Sequence, residues 1–485
     1  MTTRSLVPLS AEPLARGLVD SLGGARGSHA SRPVNVLRSI ISVGWVFLAF
    51  AYLSKASCAA GRRGDDGIVS LNWAGNRQYT SFCYNDIIPL YGGRGLDKPG
   101  FVYAFSWQEG DLTRYMEYPV LAGLFQGMMG WIARHTYGLV SWATVADAGW
   151  YFALTALVLS IIWVFTLQMV AELAGNRAWD TLLVAASPLV IIHAFTNWDI
   201  PSIAFATGAL LAVKRRKNGL AGVLIGLGTA FKMWPLFLLG AFLVLAMRNK
   251  RWAPFGSMLG ATVVSWLVVN IPIAVWYPDA WREFFRLNST RGWEWTTVYA
   301  MLARNFPFPV PISAINAFSL LGFLALCGAI AILGLRTRRQ PRVAEMVYLI
   351  VAAFLLLNKV WSPQYSLWLL VPAALALPRW RLLLTWGFFD ALVWPILMWH
   401  MMGVENKGAP GGLLDIAILF RDGFIIAIAV LVILQMLGKR EDKVLTANGA
   451  DLLAGDFGYV APRSLADAAS APTSAVEVAA AEGKE

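Results

Sequence analysis

The stretch SLLGFLALCGAIAILGLRTRRQPR, residues 319–342, decides the fold class of this chain. An uninterrupted apolar run is followed at once by Arg336, Arg338, Arg339 and Arg342. A helix needs about 20 apolar residues to cross a bilayer. A basic cluster directly after such a run is typical of a cytoplasmic loop. The stretch therefore predicts a transmembrane helix that ends in the cytoplasm.

Apolar runs of this kind recur along most of the 485 residues. Hydrophobic residues make up 57% of the chain and charged residues 14%, with a mean hydropathy of +0.57. A soluble domain carries roughly a quarter charged residues, so a soluble enzyme is a poor interpretation. Only helices or closed barrels satisfy the backbone in lipid, and these runs lack the alternation of barrel strands. The chain is predicted to be an all-α polytopic membrane protein.

The net charge of +11 comes mainly from basic clusters between the apolar runs. This distribution fits cytoplasmic loops and makes nucleic-acid binding a poor explanation of the charge. The clusters lie at residues 214–217, 248–251, 336–342, 379–381 and 439–440.

Topology follows from these clusters, which place the loops around 196–198, 232, 276–312, 358–363 and 401–413 outside. With a cytoplasmic start, an even number of crossings must separate the first external loop from residues 196–198. Three apolar segments lie there, at 118–134, 147–171 and 180–195. One of them must fail to span, and the sequence does not say which. We predict about 12 transmembrane helices, within a range of about 11–13.

Three regions are expected along the chain. Residues 1–36 form a disordered cytoplasmic leader, and residues 37–438 form the transmembrane domain, whose large first external loop covers 55–116. Residues 439–485, rich in Ala, Gly and acidic residues, form a disordered cytoplasmic tail.

Two of the three cysteines, Cys58 and Cys83, lie in or beside the first external loop. Disulfides are favoured outside the cytoplasm, so we predict a bridge between them, with two free thiols as the alternative. Cys327 lies within an apolar run and is most simply a small core residue. The chain has four His and no Cys/His spacing typical of zinc, so no metal site is assigned.

Ionisable residues collect at the predicted external ends of the helices. Interfacial anchoring is one interpretation, but ionisable groups at membrane depth are costly and usually mark function. Three carboxylates are candidates for a base or for orienting hydroxyl groups: Asp86, Glu117 and Asp199. Three cations are candidates for holding an anion: Lys232, Lys359 and Arg291. Together they suit transfer of a group from a phosphate to a hydroxyl, because the base takes the acceptor proton and the cations stabilise the departing phosphate.

Five sequence motifs resemble those of a known family: YNDIIPLYGGRGL (84–96), EYPVLAGLF (117–125), NWDIPSIAFATGALL (197–211), GLGTAFKMWPLFLL (226–239) and LLNKVWSPQYSLWLLVP (356–372). The layout of the chain, with a cytoplasmic start, one helix and a large first external loop holding an acidic residue, resembles the GT-C glycosyltransferases. The closer resemblance is to the bacterial polyprenol-phosphate-mannose-dependent mannosyltransferases of glycosyltransferase family 87. The similarity covers about residues 36–400.

The resemblance implies an inverting sugar transfer from a polyprenyl-phosphate donor on the outer face of the bacterial plasma membrane. By the resemblance, Asp86 would be the general base and Lys232 and Lys359 would contact the donor phosphate. In the mechanism that we predict from the residues, Arg291 closes over that phosphate. Mannose is implied by the resemblance, while arabinose stays open because arabinosyltransferases share the architecture. The acceptor would be a hydroxyl of a cell-envelope glycolipid or glycan, and no cofactor is required, with a divalent metal left open.

The remaining candidates surround these groups in the sequence. Sugar or acceptor contacts are expected for Tyr84, Asn85, Glu117, Asp199, Gln364 and Tyr365. The alternative from another class is a lipid or solute transporter, which also needs intramembrane charges. Transporters often show repeated halves with midplane sites, whereas this chain shows no internal repeat and places its ionisable residues at one face.

Overall fold

The computed structural model describes residues 13–21 and 35–458. This part of the chain is an all-α bundle with two short hairpins. The strands are β1 (Gly61–Arg63), β2 (Val69–Leu71), β3 (Trp107–Glu109) and β4 (Leu112–Arg114), and they pair antiparallel as β1–β2 and β3–β4. The helices are α1 (Pro13–Ser21), α2 (Val36–Ala59), α3 (Arg77–Thr80), α4 (Ile87–Gly93), α5 (Val120–Thr136), α6 (Asp147–Ala174), α7 (Leu182–Ala185), α8 (Pro188–His193), α9 (Ile200–Lys214), α10 (Asn218–Phe231), α11 (Leu238–Asn249), α12 (Trp252–Trp276), α13 (Pro278–Thr290), α14 (Val298–Asn305), α15 (Ile312–Arg336), α16 (Val343–Leu357), α17 (Leu367–Ala376), α18 (Trp380–Met401), α19 (Gly411–Met436) and α20 (Lys443–Asn448).

Six helical spans in the described residues are long and apolar enough to cross a membrane. They begin at Val36, Asp147, Trp252, Ile312, Trp380 and Gly411. Shorter apolar helices, including α9, α10 and α16, lie among them with their side chains largely buried. The all-α membrane architecture is confirmed. The figure of about 12 crossings stays a prediction, because the shorter helices reach a full span only together with their flanking turns.

Helix α5 answers the question of which segment fails to span. It begins just after Glu117, whose carboxylate pairs with Arg94 of the first loop. The chain beyond its other end returns to the same face, where Val145 bridges to Ala60. In the last turn of α5, Arg134 donates a hydrogen bond to the Leu96 carbonyl of the same loop. Both ends of α5 therefore lie beside the first loop, so we assign segment 118–134 as a helix lying along that loop.

The loop between α2 and α5, residues 60–119, defines one face of the bundle, here called the loop face. A disulfide joins Cys58, in the last turn of α2, to Cys83, directly before the segment Tyr84–Asp86. Cys327 is the free cysteine of the described chain. The predicted pairing is confirmed. The bridge fixes the start of the Asp86 segment to a long helix.

Removal of this bridge is expected to lower the free energy of unfolding. The loop that it closes spans 25 residues, so the Cys58→Ser/Cys83→Ser variant should lose about 3 kcal/mol on the chain-entropy model. Thermal unfolding of the purified protein in detergent measures the loss, with Cys327→Ser as the matched control. Equal unfolding temperatures for the double variant and the control would contradict the prediction.

The end of the bundle opposite the loop face is here called the tail face. The structure there corrects the predicted start of the disordered tail. Residues 439–458 pack onto the bundle and are not a disordered extension. Arg342 donates to Asp442 at 2.8 Å, and the backbone N–H of Val343 donates to Asp451 at 2.8 Å. Phe457 is fully buried against Phe242, with ring centroids 5.0 Å apart. The acidic residues that suggested disorder pair here with a basic cluster and a helix N-terminus. Residues 459–485 lie outside the described residues.

The predicted leader is corrected in one part. Residues 13–21 form α1, whose Ala15 and Val19 are buried where the helix contacts α18. A nine-residue helix with one apolar stripe is stabilised by such packing, which the composition of the leader did not indicate. The rest of the expected leader, residues 1–12 and 22–34, lies outside the described residues.

Candidate functional site

Helix breaks place the candidate residues at the loop face. Asp86 precedes α4, Asp199 precedes α9, Lys232 follows α10, and Lys359 lies between α16 and the turn at 363–366. A proline lies close to each break, at positions 89, 201, 235 and 363. Proline lacks a backbone N–H and is tolerated in the first turn of a helix, so it favours a new helix start. Each break frees the backbone and presents a polar side chain at the same end of the bundle.

Asp86, Lys232 and Lys359 line a cavity of about 740 Å³, here called the polar cavity. Of the predicted site residues, eight line it: Tyr84, Asp86, Glu117, Lys232, Arg291, Lys359, Gln364 and Tyr365. Distant parts of the sequence thus meet in one place. Asp199 and Asn85 are not among the lining residues.

Asp86 is anchored by both its backbone and its side chain. Its N–H donates to the Thr196 carbonyl at 2.8 Å, and its Oδ2 accepts from Asn197 Nδ2 at 2.7 Å. Burial raises the pKa of Asp86 above its usual range, while the Asn197 hydrogen bond and the Lys232 charge lower it. A carboxylate with a raised pKa is a stronger base than a solvated one.

Lys232 lies in the wall of the polar cavity, where several contacts hold its side chain. Its Nζ donates to Asn197 Oδ1 at 3.2 Å and lies 3.5 Å from Asp199 Oδ1. Rings of Tyr118 and Tyr365 lie 5.5 Å from the ammonium group. The lysine is 7% exposed, so its charge acts on the cavity with little screening from water. Such a cation can hold a phosphate that enters from the cavity side.

Asp199 lies beneath this lysine and supports it. Its Oδ1 accepts from Trp368 Nε1 at 2.9 Å, and the side chain is 1% exposed. The carboxylate forms an ion pair with Lys232 and takes part in fixing Trp368, on which Tyr365 stacks with centroids 4.1 Å apart. Asp199 is therefore moved from the expected sugar contacts to the support of Lys232 and the stacked rings.

Lys359 joins two loops at the cavity wall. Its Nζ donates to the Arg291 carbonyl at 2.6 Å, and its own carbonyl accepts from the Glu294 N–H at 2.9 Å. Burial, and then the Arg291 charge, lower the pKa of Lys359. The guanidinium of Arg291 pairs with the Glu294 carboxylate. Both cations line the cavity, and Arg291 forms this ion pair in place of the closure expected from the sequence.

Asn85 has a local role instead of the expected sugar contact. Its side chain is fully buried, donates to the Cys83 carbonyl at 3.2 Å and accepts from the Ile88 N–H at 3.0 Å. These bonds fix the turn that leads into α4. Since the amide is committed to the backbone, Asn85 is taken out of the set of expected sugar contacts.

The sequence predicts no role for Asn197, although this residue begins the motif NWDIPSIAFATGALL. Asn197 lies between Asp86 and Lys232 and bonds to both. Tyr118 was also missed; its hydroxyl accepts from Asn197 Nδ2 at 3.0 Å. The sequence offers one signal: Asn197 lies two residues before Asp199, which precedes a helix with a proline in its first turn. This signal does not identify the partners of Asn197. In the described residues, no group of three or more His, Cys, Asp or Glu is placed to hold a metal ion.

A second cavity of about 310 Å³, here called the apolar groove, adjoins the polar cavity. The two share Tyr118, Pro119, Met233, Phe284 and Phe285. Its other walls come from α10, α12 and α13, with apolar side chains such as Val263, Trp266 and Leu267. The pair of cavities can hold a molecule with a charged head and an apolar chain.

Comparisons with known proteins identify the family of the chain. The model of glycosyltransferase family 87 matches residues 115–363, about half of the chain. No curated protein matches the sequence. One solved structure, ArnT from Cupriavidus metallidurans bound to undecaprenyl phosphate, has 14% identity and a TM-score of 0.40 over 82% of this chain and 77% of that one. A structural similarity of this size carries no conclusion about the site. The family match includes Asn197, Lys232 and Lys359, and on this match the chain belongs to glycosyltransferase family 87.

Proposed function

We propose that this membrane glycosyltransferase moves a sugar from a polyprenyl-phosphate donor to a hydroxyl of a cell-envelope glycolipid or glycan, with inversion at the anomeric carbon. Mannose is the first sugar to test, and the loop face lies outside the plasma membrane. The observation that carries the proposal is the convergence of Asp86, Lys232 and Lys359 on one cavity. A carboxylate opposite two lysines is what transfer from a phosphate to a hydroxyl requires.

The donor is assigned to the two adjoining cavities. Its phosphate meets Lys232 and Lys359 in the polar cavity, while the first part of the polyprenyl chain lies in the apolar groove. The groove matches an isoprenoid because most of its lining is apolar, including Val263, Trp266 and Leu267 of α12, and because α12 is largely exposed on its outer side. A nucleotide sugar would leave this groove unused.

The proposed reaction has one covalent step. The acceptor hydroxyl oxygen attacks the anomeric carbon while the bond from that carbon to the phosphate oxygen breaks. The acceptor proton passes to Asp86, and the electron pair of the broken bond stays on the phosphate. Lys232 and Lys359 stabilise the charge that develops there. Attack opposite the leaving group inverts the anomeric carbon.

The remaining cavity residues are assigned to substrate orientation. Glu117 is fixed by Arg94, with Nε 2.6 Å from the carboxylate, and Tyr365 is stacked on Trp368. The charge of Asp86 raises the pKa of the Tyr84 hydroxyl, which therefore stays a donor. Gln364 is buried at the cavity wall. Fixed polar groups of this kind orient a sugar with little loss of side-chain entropy.

A donor panel tests the proposal. Purified protein in liposomes is supplied with polyprenyl-phosphate mannose, glucose or arabinose, or with the matching nucleotide sugars, and a lipid extract of bacterial envelopes serves as acceptor. Transfer is expected from at least one polyprenyl-phosphate sugar, mannose first, and from none of the nucleotide sugars. Transfer from a nucleotide sugar alone would overturn the donor assignment.

A further inference from the structure

The side-chain amide of Asn197 lies between the two charges on which the proposed reaction depends. Its Nδ2 donates to Asp86 Oδ2 at 2.7 Å and to the Tyr118 hydroxyl at 3.0 Å. Its Oδ1 accepts from Lys232 Nζ at 3.2 Å and from the Trp198 N–H at 2.6 Å. Both donors and both acceptor positions of the amide are used, and the residue is 4% exposed.

The orientation of this amide is fixed by chemistry. Lysine and a backbone N–H can only donate, so both require the oxygen of the amide. An ionised carboxylate can only accept, so it requires the nitrogen. A flipped amide would face a lysine with donors and a carboxylate with an acceptor, losing the contacts to Lys232, Trp198 and Asp86 together. Asn197 therefore holds one arrangement, in which the nitrogen faces Asp86.

The amide also keeps Asp86 and Lys232 apart. Without an intervening group, a carboxylate and an ammonium in a water-poor cavity attract each other strongly. A direct pair would tie up both the base and the phosphate-binding cation. An asparagine accepts from the cation and donates to the anion, so both charges keep a partner without meeting.

We propose that Asn197 is a positioning residue that couples the base Asp86 to the donor-phosphate lysine Lys232. The proposal rests on the function proposed above. In the proposed step Asn197 touches neither the acceptor hydroxyl nor the donor sugar; it holds the Asp86 carboxylate in place and favours its charged form through a hydrogen bond. It also keeps the Lys232 ammonium at a set distance from that carboxylate, free on its cavity side to contact the phosphate.

The other groups around Asp86 define what a pH profile will report. Lys55 of α2 donates to the Tyr84 carbonyl at 3.2 Å and interacts electrostatically with the Asp86 carboxylate. In the described residues, six titratable groups on the surrounding helices and loops interact electrostatically with Asp86. They are Lys55, Tyr84, Tyr118, Asp199, Lys232 and Tyr365. These groups are common to the wild type and the variants below, so a difference between the profiles reports on position 197.

Asn197→Asp is the sharpest test, because it exchanges one NH2 group for an oxygen. Contacts to Lys232 and Trp198 can remain, while the donor to Asp86 becomes a second carboxylate. Hydrogen bonding from Asn197 lowers the pKa of Asp86 in the wild type. Loss of that bond and the added negative charge both favour the protonated form. The rising limb of transfer against pH should move upward by about one pH unit or more.

The expected pattern separates positioning from a general structural defect. At pH values below the rising limb of the profile, the turnover of the variant should be lower than that of the wild type by about tenfold for every pH unit by which the limb moves. At pH values above the limb, it should approach the wild-type value. Asn197→Leu, which has a similar shape and no polar atoms, should move the limb in the same direction. Asn249→Ala removes an amide that bonds to Gln340 and to the Phe457 carbonyl at the tail face. Its turnover should follow the amount of folded protein, with the limb in the wild-type position.

Asp86→Asn, measured in the same series, distinguishes the positioning role from the proposed function. If Asp86→Asn is inactive and the limb is unmoved in both Asn197 variants, the positioning role is overturned and the proposed function stands. If Asp86→Asn transfers sugar at a near-normal rate, the proposed base is wrong, and the positioning role is overturned with it. A limb that moves upward in Asn197→Asp and Asn197→Leu supports the coupling.

Discussion

Asp86→Asn is expected to reduce the turnover of sugar transfer by about 10³-fold, within the range typical for removal of a general base. An amide cannot take up the acceptor proton at neutral pH. The substitution is nearly isosteric, and its amide oxygen can still accept from Asn197. The backbone bond from residue 86 to the Thr196 carbonyl does not depend on the side chain. The variant should therefore fold and bind donor.

Turnover is measured with polyprenyl-phosphate mannose, or with whichever donor the panel identifies, after size-exclusion chromatography and thermal unfolding have shown that the variant is folded. Asp65→Asn is the matched control, because Asp65 is an exposed acid of the same loop. Its turnover should equal that of the wild type. A folded Asp86→Asn variant with near-normal turnover would remove Asp86 from the role of base.

Lys232→Met is expected to give the second largest effect, a loss of about 10²- to 10³-fold in kcat/KM, comparable with removal of one charge-stabilising group. The lysine contributes a buried positive charge at the predicted position of the leaving phosphate. Its removal also leaves Asp199 as a buried carboxylate without its cation, which typically costs about 3–5 kcal/mol of stability. A loss of activity in this variant alone could therefore come from unfolding.

The double variant Lys232→Met/Asp199→Asn separates these two causes. Neutralising Asp199 removes the unpaired charge and should recover most of the stability, while its amide oxygen can still accept from Trp368. Transfer should stay low, because the phosphate still lacks its cation. Lys407→Met, at an exposed lysine in the loop between α18 and α19, is the control. Recovery of kcat/KM in the double variant would show that Lys232 has a structural role only.

The fold class and the location of the candidate site were predictable because few physical rules govern them. Long apolar runs require helices in a bilayer, and basic clusters orient them. The motifs NWDIP and FKMWP contain a proline two residues after Asp199 and three residues after Lys232, respectively. Such prolines mark helix breaks. Breaks at one face bring distant residues such as Asp86 and Lys232 together. Sequence separation is no barrier to this kind of inference.

Three features depended on packing that no local pattern records. Helix α5 has the length of a short span, and its contacts to residues 60–119 show that it lies along the loop. The acids of residues 439–458 resemble a solvated tail until their partners, such as Arg342, are known. Asn85 and Asn197 are both asparagines close to candidate acids, yet Asn85 bonds the backbone and Asn197 joins two charged groups. Which asparagine does which is decided by the partners brought in by tertiary structure.

The central claim is a single inverting displacement on a polyprenyl-phosphate sugar. The most direct measurement is the anomeric configuration of the product, read by NMR after transfer of a sugar labelled with carbon-13 at the anomeric position from a donor of known configuration. We predict that the transferred sugar has the configuration opposite to that of the donor, and that this product is absent when Asp86→Asn replaces the wild type. A product that retains the donor configuration would contradict the account.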